Sequence, residues 1–346
     1  MKKAVVLIGN KMSKDNPLIE LKKKQSIGDR KKLFLMASIL SLLFVFSLSL
    51  GEISLFPHQW LTDEAKLFIW QIRLPRILAV MMVGASLAIA GAIMQALFQN
   101  PLAEPGLLGV SSGAGVCIVL LIVLHVGSNP WLISSVAVLG ALGITILLMC
   151  FAQIKKLSNA QLLLIGVALG VMASAVMTWL VYFSSALDLR QLMYWLMGSF
   201  GGIDWRHQVL FWALIPIIAI LISHADTLNY LSLGSFRAKQ LGVSVNRWRN
   251  GFILAVGLLI GLSVAIAGAI SFIGLVVPHL LRLSGITHYK TLLPACALTG
   301  SGLLLLADLL SRLMLNGAEV PIGVITVTLG APVFIWLLVT KEMGRL

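Results

Sequence analysis

Residues 71–115 read QIRLPRILAVMMVGASLAIAGAIMQALFQNPLAEPGLLGVSSGAG. Two arginines, Arg73 and Arg76, stand before a charge-free apolar run from Ile77 to Phe98. A Pro-punctuated polar turn, Asn100 to Gly109, follows, and then a second, glycine-spaced apolar segment begins. The charge-free run is about as long as a helix needs to cross roughly 30 Å of hydrocarbon. The stretch therefore reads as a membrane crossing, with Arg73 and Arg76 at one face and Asn100 to Gly109 at the other.

The same reading extends along the chain. With 59% hydrophobic and 11% charged residues in 346 and a mean hydropathy of +0.98, there is too little polar surface for a soluble protein, and the class is polytopic membrane protein. The expected fold is all-α, with about ten transmembrane helices at 33–51, 77–98, 108–126, 131–153, 161–183, 208–223, 251–268, 272–284, 292–311 and 322–340. At Gly268 to Ser271, between the seventh and eighth, two helices or one broken helix fit equally well. The organisation is a cytosolic basic tail, 1–32, and a transmembrane permease domain, 33–346. In the tail the apolar run Ala4 to Ile8 is shorter than a signal-peptide core and no small-residue cleavage site follows it. Met12 offers a second candidate start.

The net charge of +13 points to membrane orientation rather than nucleic acid, because the basic residues lie between apolar runs and in the tail. An even number of crossings puts both termini on one side. If that side is the cytoplasm, twenty Lys/Arg lie inside: ten in the tail, Lys155, Lys156, Arg237, Lys239, Arg247, Arg249, Arg282, Lys290, Lys341 and Arg345. Six lie outside: Lys66, Arg73, Arg76, Arg190, Arg206 and Arg312. This asymmetry sets the expected orientation.

Gly109 and Gly113, Gly166 and Gly170, and Gly257 and Gly261 are each spaced for close helix approach. Ser86 to Ile93 (SLAIAGAI) is echoed by Ser263 to Ile270 (SVAIAGAI) in a crossing of opposite direction, the pattern of an inverted repeat. Chance recurrence of small apolar residues is the alternative.

Several chemistries lack their residues. No GxxxxGK[ST] is present to cradle nucleotide phosphates, so the chain is not a self-sufficient ATPase. No paired carboxylates, HExxH or Ser/His/Asp set falls within the spans, and Cys117, Cys150 and Cys296 have no CxxC spacing. No catalytic or metal-ligating residues are therefore expected. Asp308, the main acid in a span, stands four residues before Arg312, which favours an internal salt bridge over a proton relay. His279, after Pro278, is expected as a hydrogen-bonded helix-break residue.

Two features remain as working parts. Arg73, Arg76 and Arg312 form either a set of interfacial side chains snorkelling to headgroups or a cationic dock for carboxylates. The residues alone leave both open. On the inner side, the loop Ser223 to Asn250 contains LSLGSFRAKQLGVSVNRWRN, in which Ser235 is expected to cap a short helix through Phe236, Ala238 and Leu241, with Gly242 as its stop. Such a basic, partly apolar helix suits a groove on another protein; lying on anionic lipid is the alternative.

Five motifs together resemble the permeases of iron-siderophore and cobalamin ABC importers, the cobalamin branch most closely. They are QIRLPRILAV (71–80), NPLAEPGLLGVSSGAGV (100–116), DLRQLMYWLMGSFGGIDWR (188–206), AGAISFIGLVVPHLLRL (267–283) and AEVPIGVITVTLGAPVFIWLL (318–338). The resemblance runs from about Leu33 to the C-terminus, and the longer tail departs from it. It implies a multi-pass subunit of the bacterial inner membrane, both termini cytoplasmic, paired with a second copy of itself. Two cytosolic ATPase subunits binding ATP and Mg, and a periplasmic substrate-binding protein, would complete the importer. It further implies that Arg73, Arg76 and Arg312 receive the binding protein and that Ser235, Phe236, Arg237, Ala238, Leu241 and Gly242 seat on the ATPase. Ser158, Asn159 and Ala160 would form a cytoplasmic gate, although Asn159 and Ala160 depart from the hydroxyl residues usual there. The expected cargo is cobalamin. A ferric siderophore and, from another class, a proton-coupled carrier are the alternatives.

Overall fold

In the computed structural model, the backbone is described for residues 17–343 except 52, 127, 128, 155, 156, 316 and 317. The tail before Pro17, Lys155, Lys156 and Arg345 lie outside the described residues.

Each of the ten expected crossings coincides with a helix: α1 (Pro17–Ser49), α2 (Leu74–Phe98), α3 (Val110–Val123), α4 (Pro130–Ile154), α5 (Asn159–Tyr182), α7 (Gln208–Ser223), α10 (Val245–Ala267), α11 (Ile273–Leu283), α12 (Tyr289–Leu313) and α13 (Ile322–Met343). Three shorter helices intervene: α6 (Ala186–Met197), α8 (Ala225–Leu231) and α9 (Ser235–Gln240). Among the described residues, seven helices are long and apolar enough to span a bilayer, and α3, α11 and the apolar part of α13 are shorter.

Two boundaries differ from the sequence expectation for identifiable reasons. Helix α1 begins at Pro17, well inside the expected tail, because Pro is pre-organised for a first helical turn and only Gly28 interrupts the good helix formers that follow. The second crossing begins earlier too. A π-helix, Leu67–Arg73, leads straight into α2 and closes with the Leu74 amide donating to the Ile69 carbonyl, five residues back. In that register the Trp70 carbonyl would be served by residue 75, which is Pro75 and has no N–H. The indole Nε1 of Trp205 donates to it instead, at 2.7 Å. Arg73 and Arg76 therefore stand on one continuous helical segment despite the proline.

Helix α2 is the hub, buried almost throughout from Ile77 to Phe98. It packs on α12, α10, α11 and α7, while α10 packs on α4 and α3. The pattern is preserved when α2, α3, α4 and α5 are exchanged with α10, α11, α12 and α13. Thus α2 with α12 matches α10 with α4, α2 with α11 matches α10 with α3, and α3 with α4 matches α11 with α12. The pairs α3 with α5 and α11 with α13 also correspond. The echoed octapeptides lie on the two exchanged hubs, and a glycine stands two residues before each copy. Gly84 meets the backbone of Gly300 on α12, and Gly261 meets Val138 and Ala141 on α4. The other spaced glycines also sit at crossings: Gly109 against Gly166 and Gly170, Gly113 against Gly140, and Gly257 against Thr145. Small residues set these distances.

Of the two alternatives at Gly268 to Ser271, the structure has two helices. Gly268 leaves α10 with φ +70°, and Phe272 enters α11 from the left-handed region at φ +72°. Gly274, near the start of α11, lies against Gly91, two-thirds of the way along α2. The connection therefore dips into the bundle. So does the lead-in to α3, whose Gly109 rests on the interior of α5. A Cβ at Gly91 would overlap the Gly274 carbonyl. We expect Gly91→Ala to lose stability by about 1–3 kcal/mol or more through overpacking, read as an earlier aggregation onset in detergent melts; a wild-type melt would contradict this crossing.

Candidate functional site

At one end of the bundle, the finish of α1, the start of α2 and the finish of α12 converge on a set of charged side chains. Asp308 is fully buried on α12. Its carboxylate accepts from Arg76 Nε at 3.0 Å and Nη2 at 2.9 Å and pairs with Arg312 Nε at 3.1 Å. Arg76 also donates Nη1 to Glu319 Oε1 at 2.5 Å and Nη2 to Glu319 Oε2 at 2.9 Å. Arg312 turns its remaining donors to α1, bonding the Ser47 hydroxyl at 2.6 Å and the Ser47 and Leu50 carbonyls. Arg73 does the same with the carbonyls of Leu48, Ser49 and Ile53.

The expected i,i+4 pair of Asp308 and Arg312 is present. The three arginines are together in space, but none snorkels: each is less than a tenth exposed and donates to protein. Facing outward instead is Glu319, whose side chain is 41% exposed while that of Asp308 is 1% exposed. Glu319 also lines a cavity of about 680 Å³ with Trp195, Ser199, Gly202, His207 and Gly268. Nearby, Asp204 caps the turn into α7 and pairs with Arg206 at 2.7 Å, which holds the Asp204 carboxyl below the usual carboxylate range.

The inner-loop helix is α9. One detail of its expected start is corrected: the N-cap is Gly234, at φ +99°, and Ser235 is the first helical residue. A glycine tolerates that backbone conformation where serine does not, so the cap falls one residue earlier. Gly242 takes φ +81° and donates to the Lys239 carbonyl, ending the helix as expected. Ala238 is buried against the permease, whereas Phe236 is 75% and Leu241 57% exposed. Arg237 is exposed on the same surface.

Ser158 caps α5, its hydroxyl accepting from the Gln161 amide while the Gln161 side chain accepts from the Ser158 amide. Asn159 Nδ2 donates to the Leu97 carbonyl at the end of α2, at 2.9 Å. Ala160 is exposed. The three therefore sit where α2 and α5 meet at the inner ends.

Two residues that sequence reasoning passed over matter here. Glu319 sits in the motif AEVPIG, and its only signal was an acid at a helix-entry loop. Glu104 accepts the Phe272 amide at 2.9 Å, tying the α3 lead-in to the start of α11. Burial holds the Glu104 carboxyl above the ordinary carboxylate range, with the Phe272 amide pulling the other way.

A family model, the FecCD transport family, matches residues 39–340. The chain belongs to that family. Among its relatives, the vitamin B12 import system permease protein BtuC of Photorhabdus laumondii is 60% identical over 328 residues, covering 94% of this chain and 98% of the relative. The protein of the same name from Serratia proteamaculans is 58% identical, covering 93% and 96%. A solved metal-chelate type ABC transporter in an inward-facing conformation superposes with a TM-score of 0.83 at 34% identity, over 90% of this chain and 99% of that one. This FecCD chain is thus a multi-pass membrane permease with a transport role.

The arginine cluster separates two kinds of carboxylate. Asp308→Asn leaves two buried guanidinium groups unneutralised and is expected to cost about 3–5 kcal/mol. Glu319→Gln, at the exposed edge, is expected to cost less than about 1 kcal/mol. Thermal unfolding of the purified variants checks the order, and an Asp308→Asn midpoint equal to wild type would refute it.

Proposed function

We propose that this chain is the membrane subunit of an ATP-driven importer for cobalamin. The observation that carries the reading is the 58–60% identity to vitamin B12 import permeases over more than nine-tenths of both chains. Two copies would form the pathway between them in the inner membrane, with both termini cytoplasmic. Two cytosolic ATPase subunits would bind ATP and Mg, and a periplasmic binding protein would deliver the substrate.

The geometry supports this assembly at three places. Helices α5 and α13 carry exposed apolar side chains, among them Val171, Met172, Trp179, Ile335 and Trp336, suited to a second copy and to lipid. Helix α9 presents Phe236 and Leu241 beside Arg237, a small apolar anchor with a basic rim. The Arg73, Arg76 and Arg312 cluster offers guanidinium forks that match a carboxylate on the binding protein. ATP-driven closure of the ATPase pair would move α9, and α9 would shift the inner ends of α2 and α5 around Ser158, Asn159 and Ala160. Asp308, held by two arginines, argues against a proton-coupled carrier.

The second reading is a ferric-siderophore importer, favoured by the structural match to a metal-chelate transporter. Uptake of labelled cobalamin and of labelled ferric siderophores by a permease-deleted strain carrying this chain separates them: cobalamin alone should be restored, and siderophore uptake alone would overturn the assignment. For the coupling surface, Phe236→Asp should abolish co-purification of the ATPase subunits without altering the permease's own melt. Retained co-purification would exclude α9 as their seat.

A further inference from the structure

The docking reading leaves a physical difficulty. Every arginine of the cluster is already engaged, and a partner carboxylate arriving from the periplasm meets Glu319 first. The five charged groups, three guanidinium and two carboxylate, sum to a single positive charge. Of the two carboxylates, Asp308 is sealed in and bonded on both sides. Glu319 is held only at Arg76, in a two-toothed grip, with its other side open to solvent and to the cavity.

The backbone beside Glu319 is anchored independently of that grip. Val320 donates to the Ser311 carbonyl at 3.2 Å, the Ser311 hydroxyl donates to the Val320 carbonyl at 2.5 Å, and Ile322 donates to the Gly198 carbonyl at 3.0 Å. Releasing the carboxylate thus moves a side chain and not a loop, and the cavity gives it somewhere to go. The grip also has the geometry of the contact an incoming glutamate would make, since a guanidinium fork binds any carboxylate in the same bidentate way.

We propose that Glu319 is a resident stand-in for the partner's carboxylate, occupying Arg76 in the free permease and yielding it to a glutamate on the docking lobe of the periplasmic protein. This rests on the docking reading above. It assigns Glu319 a selective role: a partner must supply a carboxylate good enough to displace one already in place, so weakly acidic surfaces do not hold the permease.

The test uses the permease–ATPase complex in lipid nanodiscs and its own substrate-free binding protein. Glu319→Gln should raise the affinity about fivefold at low salt, the upper range for one exposed ion pair, with the gain shrinking as salt is added. Glu319→Asp, which keeps the charge but shortens the reach, should fall between. Unchanged or weakened binding in both variants would overturn the displacement. Docking itself is located separately, by a photo-crosslinker on Ala318→Cys in a chain with Cys117, Cys150 and Cys296 replaced. A crosslink to the binding protein without the affinity gain rejects the stand-in and keeps the docking site. No crosslink rejects the docking reading, and the inference with it.

Discussion

A carboxylate in the apolar body of a membrane protein must be neutralised locally, since an unpaired charge at the centre of a span costs about 2.5–3.5 kcal/mol on insertion scales. Asp308 imposes that requirement here. It is met by Arg76 from α2 and Arg312 from its own helix, and each arginine brings further obligations, because a guanidinium has five donors. Those of Arg312, with those of Arg73, fall on the last carbonyls of α1, which a helix terminus leaves without partners. One acid thereby fixes where the ends of three helices lie. The geometry of any docking site at this end follows from that arrangement.

The second organising constraint is close approach. In lipid there is no hydrophobic force to bring helices together, so contact depends on how near the backbones can come. The two hubs, α2 and α10, carry glycine at matching positions, and each meets its exchanged partner there. This is a physical reason for the octapeptide echo to be present. The same crossing chemistry is required twice, in helices that run in opposite directions.

The spans were legible because apolar length is a direct consequence of bilayer thickness, and the i,i+4 pair because it is local. The tertiary partners were not. Nothing at Pro75 announces that a tryptophan 130 positions later supplies the hydrogen bond its ring cannot, and nothing in AEVPIG marks Glu319 as the second carboxylate on Arg76. The arginines illustrate the limit most directly. Their types and ends of span were readable, but whether they face water depends on acids and carbonyls brought in from sequence-distant segments. The cap of α9 failed for a smaller reason: Ser and Gly both suit an N-cap, and only the backbone angle distinguishes Gly234 from Ser235.

The dipping connections raise the same question of satisfaction at greater depth. Irregular backbone is tolerated inside a bilayer only where protein groups replace water as partners. The lead-ins to α3 and α11 are equivalent under the exchange of halves, and they touch: Glu104 from the first accepts the Phe272 amide of the second. A carboxylate at that place also faces the start of α11, where the unpartnered amides of a helix favour negative charge. Ionisation and position therefore support one another, since the charge is stabilised by the helix start and the helix start is satisfied by the charge. The bond is made between the two halves rather than within either. Any rocking of one half against the other must accordingly either carry Glu104 and Phe272 together or break the one polar tie that joins their re-entrant backbones.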